Sequence, residues 1–222
     1  MTSTADVYSQ LELVFPQANR IRPYVIFNMI ASVDGRGGVK FSSATDRRVM
    51  AQLRAAVDAV VWGGGTIRSD PIALRLPNDL AHRSPIAVIW TRSGMLPLEH
   101  PLWHNQRSER LIFTMTRATN LAGIPAQIHQ VNCLTEMLFI LWQSYGIKTL
   151  LVEGGATLNY LLLSADIGEE LFLTLAPVLS GDNSPTILQG GLVRGIKLEC
   201  CSVKQINNEI YLRYRIKWGE SP

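Results

Sequence analysis

The segment from Thr149 to Asn159 (TLLVEGGATLN) constrains the fold of this chain more than any other. Four strand-forming residues precede Glu153 and the pair Gly154-Gly155, and a helical spacing of leucines begins at Leu158. A strand that passes through a glycine turn into a helix directs backbone N–H groups at an anion, usually a phosphate or pyrophosphate. An ordinary tight turn explains the same residues, so both interpretations stay open for this segment considered alone.

Two other predicted strands also end in glycine or hydroxyl residues. Residues 59–62 lead into Gly63-Gly64-Gly65-Thr66, and residues 86–90 lead into Thr91-Arg92-Ser93-Gly94. Ligands of open α/β sheets bind beyond the carboxyl ends of the strands. Three such turns suit an extended, multiply charged ligand such as a dinucleotide. The chain contains no G-x-G-x-x-G motif and no P-loop lysine, which argues against a standard Rossmann site and a nucleoside triphosphatase.

Strands and helices alternate along most of the chain, and hairpin strands follow in the last quarter. Asn207-Asn208 is predicted as the hairpin turn because Asn tolerates positive φ. This order predicts an α/β fold of three layers (αβα) around a central, mostly parallel mixed sheet with antiparallel C-terminal strands. The predicted strands are 24–29, 59–62, 86–90, 111–114, 127–131, 149–152, 170–176, 203–206 and 210–218. Helices are predicted from the capping-box residue Ser43 to 57, from 135 to 145, and from the glycine turn to about 165.

Length and composition indicate how many domains to expect. The chain has 222 residues, of which 47% are hydrophobic and 18% are charged. We therefore predict one globular domain over residues 23–218, preceded by an N-terminal arm at 1–22 that packs against it. The arm contains one amphipathic piece, whose apolar residues are Val7, Leu11, Val14 and Phe15.

Charge and cysteine content exclude several classes of partner. A formal net charge of +3 with scattered Lys and Arg favours small anionic ligands and predicts no nucleic-acid partner. No apolar run reaches the roughly 18 residues of a membrane span, and the N-terminus lacks the pattern of a signal peptide. Cys133 stands alone and Cys200-Cys201 are adjacent, which suits neither a disulfide framework nor a metal site. We expect a cytoplasmic protein without a membrane partner.

Few residues suggest nucleophilic or metal catalysis. There is no G-x-S-x-G motif, and His100 and His104 are separated by Pro101 and lack a third ligand, so we expect no metal site. Hydride transfer needs few protein groups, because the cofactor supplies the reactivity while the protein supplies position and electrostatics.

Six segments in order resemble the reductase of riboflavin biosynthesis. They are NMIASVDG at 28–35, LRA at 53–55, DAVVWGGGT at 58–66, Asp70-Pro71 with Leu74, VEGGATLN at 152–159 and APVLSG at 176–181. The resemblance covers residues 23–218 and is to the stand-alone reductase module, since nothing in the chain looks like the zinc deaminase domain sometimes fused to it.

This resemblance implies a dihydrofolate-reductase-like fold, an NADPH cofactor and a homodimer. The family reduces the ribosylamino group of a phosphorylated pyrimidine, a 5-phosphoribosylamino-pyrimidine, to ribitylamino. The hydride passes from the nicotinamide to C1′ of the ring-opened sugar imine. Asn28 stands where bacterial deaminase–reductase fusions tend to have Lys and is more similar to archaeal and fungal reductases, so the deaminated and undeaminated pyrimidines both stay open as substrates.

The resemblance also assigns candidate site residues. Ile30, Ala31, Thr66 and Asp70 are expected along the nicotinamide half of the cofactor, with Gly63 in the neighbouring turn. Gly154, Gly155, Ala156, Thr157 and Leu158 are expected around the pyrophosphate, and Arg92 beside the 2′-phosphate. Arg54, Leu74 and Glu153 match substrate-contacting positions. Ser42 or Ser43 is expected to join them, and so is Arg75, although it is out of step with the arginine of relatives. Glu153 is the expected substrate hydrogen-bond partner or proton donor, and Asn28 and Asp34 are hypothesised to orient the sugar.

Two alternatives keep the same cofactor. In the first, the enzyme reduces another acceptor, such as dihydrofolate or a pterin. In the second, the chain binds NADPH without catalysis, an interpretation supported only by the altered arginines after Asp70 and opposed by the joint presence of Glu153, Arg54, Thr66 and Asp70.

Overall fold

The computed structural model describes residues 6–16, 21–104, 107–117, 121–191 and 195–219. Within these ranges the strands are β1 (Tyr24–Ser32), β2 (Ala59–Gly63), β3 (Ile86–Thr91), β4 (Arg110–Thr114), β5 (Gln127–Gln130), β6 (Thr149–Val152), β7 (Glu170–Ala176), β8 (Lys197–Ile206) and β9 (Glu209–Lys217). The α-helices are α1 (Ala44–Ala56), α2 (Gly64–Ser69), α3 (Leu134–Tyr145) and α4 (Ala156–Ser164). Single 3₁₀ turns cover Gln10–Leu13, Val39–Phe41 and Pro101–His104. No helix in these ranges is long and apolar enough to cross a bilayer.

The chain divides into two units. The first unit contains residues 1–14, 25–52 and 152–222, and the second contains 15–24 and 53–151. In the second unit the strand order is β5-β4-β3-β2-β6, and β2, β3, β4 and β5 pair in parallel. In the first unit the order is β1-β7-β9-β8, with β1 and β7 parallel and the β7–β9 and β8–β9 pairs antiparallel. The predicted α/β class, with parallel strands followed by antiparallel C-terminal strands, is confirmed.

Strands β2, β3 and β4 of the second unit are buried on both faces, which explains their continuous apolar runs. Every residue of β2 and β6 is buried, and so are the last five residues of β3. Helix α3 ends as predicted at Gly146, whose φ of +64° lies in the left-handed region that glycine adopts without a Cβ clash.

The C-terminal hairpin of the first unit turns at the predicted residues. Asn207 and Asn208 have φ values of +52° and +72°, and β9 follows at once. Strand β8 begins at Lys197, six residues earlier than the predicted 203. The sequence from 197 to 202 shows no apolar alternation because this strand is paired on one side only and its first five residues are exposed.

The apolar residues of the N-terminal segment differ in burial. Leu11 and Val14 are 87% and 70% exposed, whereas Val7 and Phe15 are buried. A capping box of Ser9 and Glu12 starts a 3₁₀ turn, and this tighter geometry changes which side chains face inwards.

Tyr8 is the main anchor of this segment. Its ring meets that of Phe172 edge-on at a centroid distance of 5.2 Å, and Gln52 Nε2 donates to its carbonyl at 2.7 Å. Lys204 Nζ donates to Glu12 Oε1 at 2.5 Å and to the Val7 carbonyl at 2.9 Å. The segment is therefore held to the first unit by both an aromatic contact and an ion pair.

Candidate active site

The glycine turn after β6 has the geometry of an anion-binding helix start. Gly154 has a φ of +90°, a conformation that L side chains rarely adopt. Gly155 is the N-cap of α4 and offers no side-chain hydrogen bond to the first turn. The N–H groups of that turn have no intrahelical acceptor, so they are available to a ligand. Leu158 is buried, which means that only its backbone can take part.

Asn159 connects this helix start to neighbouring segments of the first unit. It is 1% exposed, and its Nδ2 donates to the Ile187 carbonyl at 2.8 Å and to Met29 Sδ at 3.0 Å. The Gln189 N–H donates to the Ala156 carbonyl at 3.1 Å. These bonds fix the glycine turn against β1 and the 187–189 segment, so the turn has this conformation without a ligand.

Glu153 lies between β6 and the glycine turn and is half-buried. Thr157, in the first turn of α4, is exposed, and its Oγ1 lies 3.5 Å from Gln189 Oε1. The predicted cofactor residues 154–158 and Glu153 are thus consecutive and share one short turn.

The predicted residues of β1 divide between the two faces of the strand. Asn28 and Ile30 pair in register with Phe172 and Thr174, so their side chains share one face. Ala31 points to the opposite face, the face on which Met29 meets Asn159. The side chains of Ile30 and Ala31 therefore cannot both contact a ligand that lies on one face of the strand.

The carboxylate of Asp34 links two loops by hydrogen bonds. Its carboxylate accepts the N–H groups of Ser180 and Gly181, each at 2.9 Å, and the hydroxyl of Ser32 at 2.6 Å. The Ser180 N–H, the Ser32 hydroxyl and the Gly181 N–H hold the pKa of Asp34 well below its usual range. This carboxylate is ionised and anchors the two loops, while its hypothesised part in orienting the sugar stays a prediction.

The two candidate serines before α1 have different surroundings. Ser43 Oγ accepts the Asp46 N–H at 3.0 Å and donates to Glu209 Oε2 at 2.7 Å, so it serves as the predicted helix cap and is used twice. Ser42 Oγ donates to Asp46 Oδ2 at 2.6 Å and keeps lone pairs for another donor. The geometry favours Ser42 over Ser43 as a ligand contact.

Behind these serines lies a pair of buried carboxylates that the sequence alone did not single out. Asp46 and Glu209 are 7% and 5% exposed, and Tyr211 donates to Glu209 Oε2 at 2.5 Å. Burial raises the pKa of Asp46, against the opposing effects of the Ser42 and Thr174 hydroxyls. Glu209 is 166 residues from Ser43, which explains why no local pattern revealed the contact.

In the second unit, the glycines after β2 allow close packing on β3. A Cβ built on Gly64 would lie 2.9 Å from Thr91 Oγ1, so only glycine fits there. Gly63 is the N-cap of α2, which contains Thr66, and Asp70 ends the helix by donating its N–H to the Thr66 carbonyl at 2.9 Å. Asp70 is half-exposed, and its carboxylate accepts the Ser69 hydroxyl at 2.8 Å.

Arg92 follows the last residue of β3 and is exposed. The turn that carries it is braced by Thr91 Oγ1, which accepts the Gly94 N–H at 3.2 Å, and by Arg68 Nη1, which donates to the Met95 carbonyl at 2.9 Å. Arg68 was not among the predicted site residues. Its position one helical turn from the glycines of 63–65 was the only signal in the sequence.

The predicted substrate residues of the second unit differ in accessibility. Arg54 is 5% exposed, its guanidinium lies 5.7 Å from the centroid of the Trp62 ring, and its Nη1 donates to the Ala73 carbonyl at 3.3 Å. Leu74 is buried and Arg75 is exposed. Both line a cavity of about 480 Å³.

The histidine and carboxylate groups that the structure describes do not converge on a metal site. Among the described residues, no three His, Cys, Asp or Glu side chains come close enough to hold a metal ion. His100 has both ring nitrogens in contact with backbone, Nε2 with the Asp70 carbonyl at 2.9 Å and Nδ1 with the Leu102 N–H at 3.2 Å. Its role in the described structure is to hold the chain that follows α2.

Comparison with known families shows which family the chain matches. Residues 23–212 match the RibD C-terminal domain family. The chain belongs to the RibD C-terminal domain family. The matched residues include all the candidate site positions, from Asn28 to Leu158.

Two of the relatives found by sequence comparison share one name. A protein of Aquifex aeolicus, named 2,5-diamino-6-ribosylamino-4(3H)-pyrimidinone 5′-phosphate reductase, is 27% identical over 214 residues, which cover 87% of this chain and 90% of the relative. A protein of the same name from Archaeoglobus fulgidus is 26% identical over 196 residues, 77% of this chain and 88% of the relative.

Solved structures show the same fold. RibD of Acinetobacter baumannii superposes with a TM-score of 0.78 at 24% identity, over 89% of this chain and 58% of that protein. The chain therefore spans little more than half the length of that RibD protein. The riboflavin biosynthesis reductase Rib7 of Saccharomyces cerevisiae superposes with a TM-score of 0.74 at 19% identity, over 91% of this chain and 93% of that protein. The predicted reductase fold class, dihydrofolate-reductase-like, is confirmed.

Proposed function

We propose that this chain is an NADPH-dependent reductase that converts a 5-phosphoribosylamino-pyrimidine into the ribitylamino-pyrimidine 5′-phosphate. The observation that carries the proposal is the start of α4, where a positive-φ glycine and a glycine N-cap leave backbone N–H groups for a pyrophosphate. Membership of the RibD C-terminal domain family supports the same assignment.

The residues present fit a dinucleotide phosphate. Gly154, Gly155 and Ala156 present backbone without bulky side chains, and the exposed Thr157 adds a hydroxyl. Arg92 supplies an exposed guanidinium suited to the 2′-phosphate. We assign Ile30, Ala31, Gly63, Thr66 and Asp70 to the nicotinamide half. When bound, NADPH supplies the hydride.

On the substrate side, we assign Glu153, Arg54, Leu74 and Ser42 as contacts. The Ser42 hydroxyl donates its hydrogen bond to Asp46, so it meets the substrate as an acceptor and is suited to a sugar hydroxyl or an amino group rather than a phosphate. Glu153 hydrogen-bonds the reacting sugar or transfers the proton that accompanies reduction, a role suited to a half-buried carboxylate next to the cofactor turn. Asn28 is proposed to orient the sugar.

The undeaminated pyrimidine is the favoured substrate. The relatives from Aquifex aeolicus and Archaeoglobus fulgidus are both named as reductases of a 2,5-diamino pyrimidinone phosphate. Asn28, where bacterial deaminase–reductase fusions tend to have Lys, agrees with this substrate. We further propose that the enzyme acts in the cytoplasm as a homodimer, which its molar mass by light scattering would test: about twice 24.7 kDa is expected.

Loss of NADPH absorbance tests the assignment. The protein is mixed with NADPH and, in parallel, the ribosylaminopyrimidine phosphate before deamination, the same compound after deamination, and dihydrofolate. Turnover is expected with the first compound above all. Turnover with dihydrofolate alone would replace this proposal with a pterin reductase, and NADPH binding without turnover on any acceptor would indicate a non-catalytic binding protein. In the same assay Glu153→Gln is expected to lower kcat far more than it changes the Kd of NADPH.

A further inference from the structure

Arg68 brings a guanidinium group to the carboxyl ends of β2 and β3. It belongs to α2, which follows β2, and its side chain is exposed. Its Nη1 donates to the Met95 carbonyl at 2.9 Å, in the turn that follows β3. A Cβ built on Gly64 would lie 3.3 Å from this Nη1, and one built on Gly65 would lie 3.9 Å from Nη2. The guanidinium group therefore lies against the glycine turn after β2 and is bonded to the turn after β3.

The strand register places Arg92 at the same edge of the sheet. Gly63 pairs with Trp90 in the parallel β2–β3 pair, so the turns that follow these two strands are neighbours. A Cβ built on Gly64 would lie only 2.9 Å from Thr91 Oγ1, which shows how closely the two turns pack. Arg92 comes directly after Thr91 and is exposed. The two arginines therefore belong to adjacent turns.

Neither guanidinium group is paired with a carboxylate in the part of the chain that the structure describes. The ion pairs of the described residues include neither Arg68 nor Arg92. Asp70, two residues after Arg68, accepts the Ser69 hydroxyl at 2.8 Å instead. Two positive charges on adjacent turns repel each other, and an anion that contacts both removes this cost.

The uncommitted donors of Arg68 match a phosphate group. A guanidinium group has five N–H donors in a planar fork, and Arg68 uses only Nη1 in a hydrogen bond to a described residue. Such a fork binds phosphate oxygens through two parallel hydrogen bonds. We infer that Arg68 binds the 2′-phosphate of NADPH together with Arg92, and that it determines the preference for NADPH over NADH. The inference rests on the proposed function, which assigns Arg92 to that phosphate.

A 2′-phosphate fits this edge better than a pyrophosphate does. A phosphomonoester carries a charge of about −1.5 to −2 at pH 7 and three acceptor oxygens, so it can meet two guanidinium groups at once. Each phosphorus of a pyrophosphate has only two such oxygens. Both arginines are exposed, which suits a terminal group that enters from solvent.

Binding of NADPH and NADH without substrate tests the inference. In fluorescence titrations, Arg68→Ala is expected to raise the Kd of NADPH at least about tenfold and to leave the Kd of NADH within about twofold. Arg68→Lys keeps the charge but loses the planar fork, so its Kd for NADPH should lie between those of the wild type and Arg68→Ala. Arg83→Ala is the matched control, because Arg83 is an exposed arginine that precedes β3, and neither Kd should change.

Calorimetry with two fragments of the cofactor isolates the phosphate itself. The wild type is expected to bind adenosine 2′,5′-bisphosphate at least about tenfold more tightly than adenosine 5′-monophosphate, and Arg68→Ala should remove most of this preference. Arg68 also holds the turn at Met95, so a purely structural role would weaken both dinucleotides and both fragments alike.

The outcomes separate this inference from the assignments on which it rests. Equal weakening of NADPH and NADH by Arg68→Ala, or an unchanged preference for the bisphosphate, would overturn the inference and leave the cofactor assignment in place. A wild-type protein that binds neither dinucleotide would overturn both. Failure of turnover with every pyrimidine acceptor would affect only the proposed reaction, because these measurements require no turnover.

Discussion

The hydroxyl of Ser42 donates a 2.6 Å hydrogen bond to the carboxylate of Asp46. The neighbouring Ser43 hydroxyl is occupied on both sides, as acceptor from the Asp46 N–H and donor to Glu209. Two adjacent residues of the same type thus have separate tasks, one that leaves lone pairs for a ligand and one that starts a helix.

Substitution of the two serines should separate these tasks. Ser43→Ala removes a helix cap and is expected to lower the free energy of unfolding by about 1 kcal/mol, measured by urea denaturation. Ser42→Ala is expected to leave stability within about 0.5 kcal/mol and to raise KM for the pyrimidine substrate. The reverse pattern, with Ser43→Ala affecting KM and Ser42→Ala affecting stability, would mean that Ser43 contacts the substrate.

Gly154→Ala should affect both stability and cofactor binding. A side chain at a φ of +90° is strained, and the cost is expected to be about 1–2 kcal/mol of unfolding free energy. The altered turn is also expected to weaken NADPH about tenfold, because it carries the N–H groups assigned to the pyrophosphate. Gly123→Ala is the control, with a φ of +93° and no atom within 4 Å of the added Cβ. Its stability loss should be similar and its NADPH affinity unchanged; equal weakening by both variants would place the pyrophosphate elsewhere.

Arg92→Ala tests whether Arg92 binds the 2′-phosphate of NADPH. Loss of a charge-assisted hydrogen bond is worth about 1.5–3 kcal/mol, so Kd for NADPH should rise roughly tenfold to a hundredfold. NADH lacks the 2′-phosphate and should be almost unaffected. Fluorescence titration with both cofactors provides the measurement, with Arg83→Ala as the control, since Arg83 is exposed and precedes β3 whereas Arg92 follows it. Equal losses for NADPH and NADH would remove Arg92 from this role.

Glu12 gives the N-terminal segment a defined pH dependence. The Lys204 ammonium, followed by the Ser9 N–H, lowers the pKa of Glu12 from 4.5 to about 2. Its folded pKa is below its unfolded pKa, so its contribution is complete above pH 4.5 and is lost as the pH falls through 2.

Glu12→Gln should therefore be less stable than wild type at pH 7, by about 0.5–1 kcal/mol because the pair is partly exposed to solvent. The difference should shrink below pH 4.5, as measured by urea denaturation at pH 7, 4 and 2.5. Glu99→Gln, at a side chain that is 93% exposed, controls for the loss of a carboxylate, and its free energy of unfolding at pH 7 should match the wild type.

Local chemistry made several elements predictable from sequence. Asn207-Asn208 turns the hairpin and Gly146 ends α3, because positive φ values select these residue types wherever they occur. Ser43 caps α1 because its acceptor partner, the Asp46 N–H, lies only three residues away. Contacts of this kind depend on the neighbouring residues alone.

Predictions stayed open where contacts are distant in sequence. The spacing of Leu11 and Val14 did not reveal their exposure, because the segment is held by Lys204 and Phe172, which lie far along the chain. Local patterns did not distinguish Ser42 from Ser43, because the hydrogen bond that occupies Ser43 comes from Glu209, far along the chain. No periodic pattern encodes such pairs.

For the segment from Thr149 to Asn159, the order of residues was enough to predict a strand, a glycine turn and a helix, since each of these forms from local preferences. Family membership too could be expected from motifs in order along the chain. Only the tertiary structure decided that Asn159 holds this turn to β1 and that Asp34 links two loops. It also decided that Arg75, Arg83 and Arg107 line one cavity. These arrangements join residues that are distant in sequence, and it is the pairing of strands that brings them together.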